Sequence, residues 1–209
     1  MDADNFIELL AEALQEYLPG ESAHMEMDPL RPEQRKAFSL GKSPRESAVL
    51  VLWHWSEGHW QFPLIQRPEY NGMHSGQIAL PGGKLEINES PRQAALRETK
   101  EEIGVNDYDI TLIGDLSEIY IPPSNFNIQP VVGFLADTPI YTPDMHEVVD
   151  VFDVKMEDLL DDSKRRFAPV RVSSNVKIQA PCFDFDGRIV WGATAMILSE
   201  LADVIKGLE

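Results

Sequence analysis

The chain has 209 residues, 43% hydrophobic and 25% charged, with a formal net charge of −17. That size and balance suit one globular domain with a substantial core, carrying an extension. So acidic a chain lacks the basic surface that displaces counterions from nucleic acid, and it has no run of about 18 apolar residues to span a membrane.

The first residues, Met1-Asp2-Ala3-Asp4, put acids where a secretory or mitochondrial leader carries bases. Cys182 is the only cysteine, which excludes an intrachain disulfide and makes the cytoplasm the expected setting. Phe6, Leu9, Leu10, Ala13, Leu14 and Tyr17 form a helical stripe behind an Asn5 cap, ended by Pro19-Gly20. Its polar face holds Glu8, Glu12 and Glu16 rather than bases, so a membrane-surface role is not expected. Packing on its own domain or on a twin subunit, as a homodimer, stays open. Glu21 to Arg45 reads as a connecting segment with one short helix. Residues 1–46 are thus expected to form a helical extension, and 47–209 the main domain.

From Ser47 the texture is that of strands. Ala48–Trp55 and Trp60–Arg67 are joined by Ser56-Glu57-Gly58. A loop, Pro68–Gly76, leads to a strand at Gln77–Leu80. Ile110–Ile121 and Ile128–Leu135 read as strands joined by Pro122-Pro123-Ser124-Asn125. Val148–Val154 follows, then a short helix near Met156–Leu160. Asp186-Gly187 marks a hairpin between Cys182–Phe185 and Arg188–Trp191. Cys182 and Trp191 read as core residues. The last helix is expected over Ala193–Lys206. Strands interleaved with a few helices fit an α/β/α sandwich around a mixed sheet.

Between these strands lies the segment that carries chemistry. Ser90-Pro91-Arg92-Gln93 is a helix start, with Ser as cap, Pro at the first position and Gln completing a capping box; Gly104 is the stop. Leu96, Thr99 and Ile103 fall on one side of this helix, and Glu98, Glu101 and Glu102 on the other. Ala94 and Ala95 leave room beside the glutamates. Like charges four apart repel, so a merely solvated helix would place Lys at one of these positions. Three carboxylates on one face make a hard oxygen site suited to Mg²⁺ or Mn²⁺. A plain acidic face accounts for the three glutamates alone, but not for Gly83, Glu89, Arg97 and Gly104 in register with them.

That register is Gly, five residues, Glu, seven residues, then Arg-Glu-x-x-Glu-Glu-x-Gly. It resembles the box of the Nudix hydrolases, which cut a diphosphate linked to another group. The resemblance implies a Nudix-type α/β/α sandwich, with Glu98, Glu101 and Glu102 holding one to three divalent ions and a Gly82 or Gly83 carbonyl as a further ligand. It also implies Arg97 and Glu89 as residues that orient these glutamates, and hydrolysis of a small-molecule diphosphate by an activated water. The proton acceptor is then Glu101, Glu102, or Glu147 of His146-Glu147-Val148. Arg67, in Leu64-Ile65-Gln66-Arg67, either meets a substrate phosphate or closes a strand through an ion pair.

Arg67, Gly76, Pro81, Gly82 and Gly83 also resemble the extra motif of the coenzyme A pyrophosphatase branch. Ile65, Pro68, Gly72 and Leu80 stand where that motif has Thr, Ser, Arg and Phe. Ile121–Phe126 and Trp191–Ala195 resemble the same branch, which implies cleavage of coenzyme A or its thioesters to 3′,5′-ADP and 4′-phosphopantetheine. Tyr70 and His74 sit in the loop beside the box, as a stacking or packing ring and a solvated histidine. Rival readings are a Nudix hydrolase of ADP-ribose, nucleotide sugars or dinucleotides, and a nucleotide-sensing module that does not cut.

Overall fold

The computed structural model describes residues 5–30, 43–69, 75–173 and 176–208. Tyr70, Gly72 and His74 lie outside the described residues. The axis of the fold is β1 (Arg45–Ser56), which pairs in parallel with β7 (Phe126–Leu135) over nine residues. β1 turns through Glu57-Gly58 into the antiparallel β2 (His59–Gln66), and its first half pairs with β4 (Gly82–Lys84). β3 (Ile78–Ala79) and β8 (Asp150–Lys155) pair with β2, while β5 (Ile110–Asp115) and β6 (Ile119–Ile121) pair with β7. The result is a mixed sheet of eight strands.

Side chains alternate along β1 and so divide the core in two. Leu50 and Leu52 face the box helix α3 (Pro91–Ile103), packing with Ala94, Ala95, Ile103, Val131 and Val148. Val51 and Trp53 face the other way, into α1 (Phe6–Ala13) and the C-terminal α5 (Ala193–Lys206), among Phe6, Leu10, Phe62, Ile197 and Leu201. Two helical layers about a mixed sheet make the expected α/β/α sandwich. The rings of Phe6 and Phe62 meet Trp53 edge-on at 5.1 and 4.9 Å, an arrangement that favours the ring quadrupoles.

Several elements differ from the expectation. α1 stops at Ala13, so Tyr17 leaves the apolar stripe and is 94% exposed. The short helix is α2 (Glu21–Glu26). Ile110–Ile121 is two strands, because the Ser117 N–H leaves the ladder and donates to the Glu200 carboxylate. The expected hairpin, β10 (Val176–Phe185) and β11 (Arg188–Trp191), belongs to a second sheet completed by β9 (Arg165–Ser173), a strand that was not foreseen. Arg165, Arg166, Pro169 and Arg171 mask the alternation in β9, although Ala168 and Val170 are buried. Cys182 is fully buried in β10. Between the sheets runs α4 (Met156–Leu160).

Glu200, with no exposed surface, ties the N-terminal segment to α5. His24 donates from Nε2 at 2.9 Å and Gly20 N–H at 3.1 Å, alongside Ser117 N–H. Burial alone would raise the Glu200 carboxyl, but His24 and Ser117 outweigh it and hold it below the usual range.

Candidate active site

The helix start is built as its sequence demands. Ser90 Oγ accepts the Gln93 N–H, and Gln93 Oε1 accepts the Ser90 N–H at 2.9 Å. Gly104 ends α3 with φ of 76°, a conformation that favours glycine. The buried face is only partly the one expected. Ala94, Ala95, Thr99, Glu102 and Ile103 are buried, whereas Leu96 is only half-buried. Ala94 and Ala95 therefore let the helix lie close on β1 rather than opening space at the glutamates.

This rotation separates the three glutamates. Glu101 is exposed, Glu98 is half-buried and Glu102 is 1% exposed. Glu102 accepts the Gly82 N–H at 2.8 Å and pairs with Arg67 at 3.2 Å. Arg67 also donates to the Gly82 carbonyl at 3.1 Å, while remaining in the lining of the adjoining cavity. Burial pushes the Glu102 carboxyl up to about 7; Arg67 and the Gly82 N–H oppose the shift, and the charges of Glu98 and Glu147 add to it.

The two glycines make this packing possible. A Cβ on Gly82 would lie 2.3 Å from the Ala48 carbonyl oxygen. One on Gly83 would lie 2.4 Å from the Glu98 carboxyl carbon. Glu98 thus rests directly against backbone that no side chain shields.

Arg97 is the hub of the outer half. Its guanidinium binds both oxygens of Glu89 at 2.8 and 2.9 Å, and it reaches Glu98 at 2.8 Å, Glu101 at 3.0 Å and the Lys84 carbonyl at 3.2 Å. Bidentate pairing fixes the fork of the guanidinium and with it both box glutamates. Arg97 holds Glu89 below the usual carboxylate range, helped by the Glu86 N–H. Burial raises Glu98 despite Arg97, and Glu101 and Glu147 raise it further.

Glu147 is exposed on the loop after β7, and its charge is felt at both Glu98 and Glu102. The loop is tied down on both sides. Thr142 N–H and Asp144 N–H donate to the carbonyls of Ile103 and Glu102 at 2.8 and 3.1 Å, and Val149 N–H donates to Gln66. Upstream, Tyr141 donates to Asp153 at 2.7 Å, and His54 Nε2 lies 3.1 Å from both oxygens. Sequence reading missed this cluster. A histidine at an inward position of an apolar strand was its one signal.

Among the described residues, no three His, Cys, Asp or Glu side chains are gathered closely enough to hold a metal ion as they stand. Arg67 and Arg97 divide the carboxylates between them. The donor chemistry nevertheless fits a divalent cation. Oxygens alone are offered; burial first, and the neighbouring carboxylate charges in smaller part, raise Glu98 and Glu102, a cost that a cation relieves.

Gly82 and Gly83 border a cavity of about 1050 Å³, also lined by Arg67, Lys84, Phe126 and Trp191. Trp191, expected in the core, is half-buried at its wall.

A NUDIX domain model matches residues 44–171, more than half of the chain. The chain belongs to the Nudix hydrolase family. It is 32% identical over 169 residues to "Nudix hydrolase 15, mitochondrial" of Arabidopsis thaliana, covering 77% of this chain and 59% of that one. Similarity to "Nudix hydrolase 3" of Caenorhabditis elegans is 31% over 140 residues, covering 66% and 57% of the two chains. The chain therefore spans well under two thirds of the length of these curated relatives. The Nudix fold is seen again in RenU of M. Smegmatis, with a TM-score of 0.56 at 18% identity, covering 79% of this chain and 88% of that one. Nudix enzymes generally use divalent metal ions. Among the described residues, no helix of this Nudix chain is long and apolar enough to cross a membrane.

Proposed function

We propose that the chain hydrolyses the diphosphate bond of a nucleoside diphosphate derivative, with Mg²⁺ or Mn²⁺ held by Glu98, Glu101 and Glu102. The observation that carries this reading is that Glu98 and Glu102 rest against Gly82-Gly83, at the edge of a cavity large enough for such a molecule. When bound, the metal supplies positive charge to the phosphate oxygens and makes water a better nucleophile. Arg97, clamped by Glu89, orients Glu98 and Glu101. Arg67 and the Gly82 N–H fix Glu102. Glu147 stands free to take the proton of the attacking water. The bridging P–O bond breaks, and the leaving phosphate keeps the electron pair. Arg97→Ala is expected to weaken metal activation about 10–100-fold, as lost support of ligands commonly does. The measurement is the midpoint of a Mg²⁺ titration of turnover, and an unmoved midpoint makes Arg97 an ordinary surface residue.

Within this class the proposed substrate is coenzyme A or a thioester of it, supported by Arg67, Gly76 and Pro81–Gly83 in the branch motif. For its extra 3′-phosphate, Lys84 is a cation at the cavity wall. Arg45 is already committed to the Ser124 carbonyl at 2.7 Å and to the face of Phe126. Losing a charge-assisted phosphate contact removes about 1.5–3 kcal/mol, so coenzyme A should exceed dephospho-coenzyme A in kcat/KM by about tenfold or more. Kinetics on these two, ADP-ribose and NADH, with products identified by mass, test both levels. A clear preference for ADP-ribose or NADH removes the coenzyme A assignment and leaves the hydrolase.

A further inference from the structure

The cavity beside Gly82-Gly83 is closed by parts of the chain outside the segment that matches the family. Asp28, Pro29 and Leu30 line it from the N-terminal side. Val172, Ile178, Trp191 and the start of α5 line it from the C-terminal side. The N-terminal wall is not a loose strap. Met27 is 3% exposed in the main core, His24 is held by buried Glu200, and Asp28 accepts the Leu30 N–H at 2.8 Å.

The lining is also divided in character. Its cations, Arg67 and Lys84, belong to the backbone that frames the glutamates. The terminal segments contribute uncharged side chains except for Asp28, an acid that disfavours an anion there. A ligand lying across this cavity meets cations and glycine backbone at one part and aliphatic and indole surface at another.

We propose that Leu30, with Ile178 and Trp191, binds an uncharged, apolar group carried by the diphosphate and thereby sets which diphosphates are cut. The proposal rests on the diphosphate-hydrolase reading. It adds that the N-terminal segment is a specificity wall, pinned in place through His24 and Glu200.

The probes are methyl, butyl and octyl esters of adenosine 5′-diphosphate, assayed with Mg²⁺ on the full chain. Each methylene buried in an apolar site is worth about a fourfold gain. A gain of about thirtyfold in kcat/KM from methyl to octyl asks that only two or three of the added methylenes be buried. Leu30→Asp is expected to cut that octyl-to-methyl ratio by about tenfold or more, and Leu30→Ala by a smaller factor. Taking the ratio within each variant cancels any general loss of activity, and thermal melts identify a variant that fails to fold. Non-cleavable methylene-bridged analogues of the methyl and octyl esters give the same ratio from dissociation constants by calorimetry. If the esters are cut but the ratio is near one, or survives in both Leu30 variants, the wall is overturned and the hydrolase stands. If no ester is cut, the activity reading falls and binding decides the wall: equal dissociation constants overturn it, and an octyl advantage lost in Leu30→Asp upholds it.

Discussion

Glu98→Gln and Glu102→Gln are each expected to lower kcat by about 10²–10⁴, because a metal clamp contributes several kcal/mol to the transition state. KM should move far less, since the lost interaction is made mainly as charge develops. The fold should survive. Glu102 is already poised near neutrality, and glutamine presents the same shape with a carbonyl to accept the Gly82 N–H. Glu98 sits against Gly83, where glutamine has the same volume. Steady-state kinetics in saturating Mg²⁺, with circular dichroism as the folding control, measures both effects. Turnover near that of the parent chain in either variant would remove the glutamate cluster from the mechanism.

Glu200→Ala is expected to destabilise the protein by about 3–5 kcal/mol, because several buried donors are left without an acceptor at about 1–3 kcal/mol each. Three donors lose their acceptor at once: His24 Nε2 and the N–H groups of Gly20 and Ser117, the last shared between both carboxylate oxygens. For a chain of this length the melting temperature should fall by roughly 10 °C. Glu200→Gln keeps the volume and one acceptor oxygen, so it should lose less. The sign with pH follows from the depressed Glu200 carboxyl. Its stabilisation is present above the unfolded carboxylate pKa and is lost as pH falls through the lower folded value. A melt of Glu200→Ala within 2–3 °C of the parent, about 1 kcal/mol for a chain this long, would overturn the stability assigned to the network.

Much of the architecture was legible because local signals agreed with the global fold. The Asp186-Gly187 hairpin, the capping box at Ser90 and the Gly104 stop each encode their geometry within a few residues. The long pairing of β1 with β7 was not legible, since 81 residues separate Arg45 from its partner Phe126. β9 was hidden by its arginines and proline. At the site, residue types and spacing pointed to the glutamates, Arg97 and Gly83. They did not reveal which way α3 turns. Its orientation is chosen by Ala94 and Ala95, small enough to approach β1, and by Arg67, just past the end of β2, drawing Glu102 inward. The ion pair of Arg67 with Glu102 is likewise a contact 35 residues away, which no local pattern carries.

The rings around Trp53 bear on how this molecule can be divided. Phe6 comes from the first helix, Phe62 from the central sheet, and Ile197 and Leu201 from the last helix, yet all enclose one cluster. Cutting the chain to residues 44–171 would sever β9 two residues before its end and strip both ends of the polypeptide from that cluster. The stretch that defines kinship is therefore not a stretch that can be excised. Ancestry is written in the middle of the chain, while cohesion is supplied by its two ends.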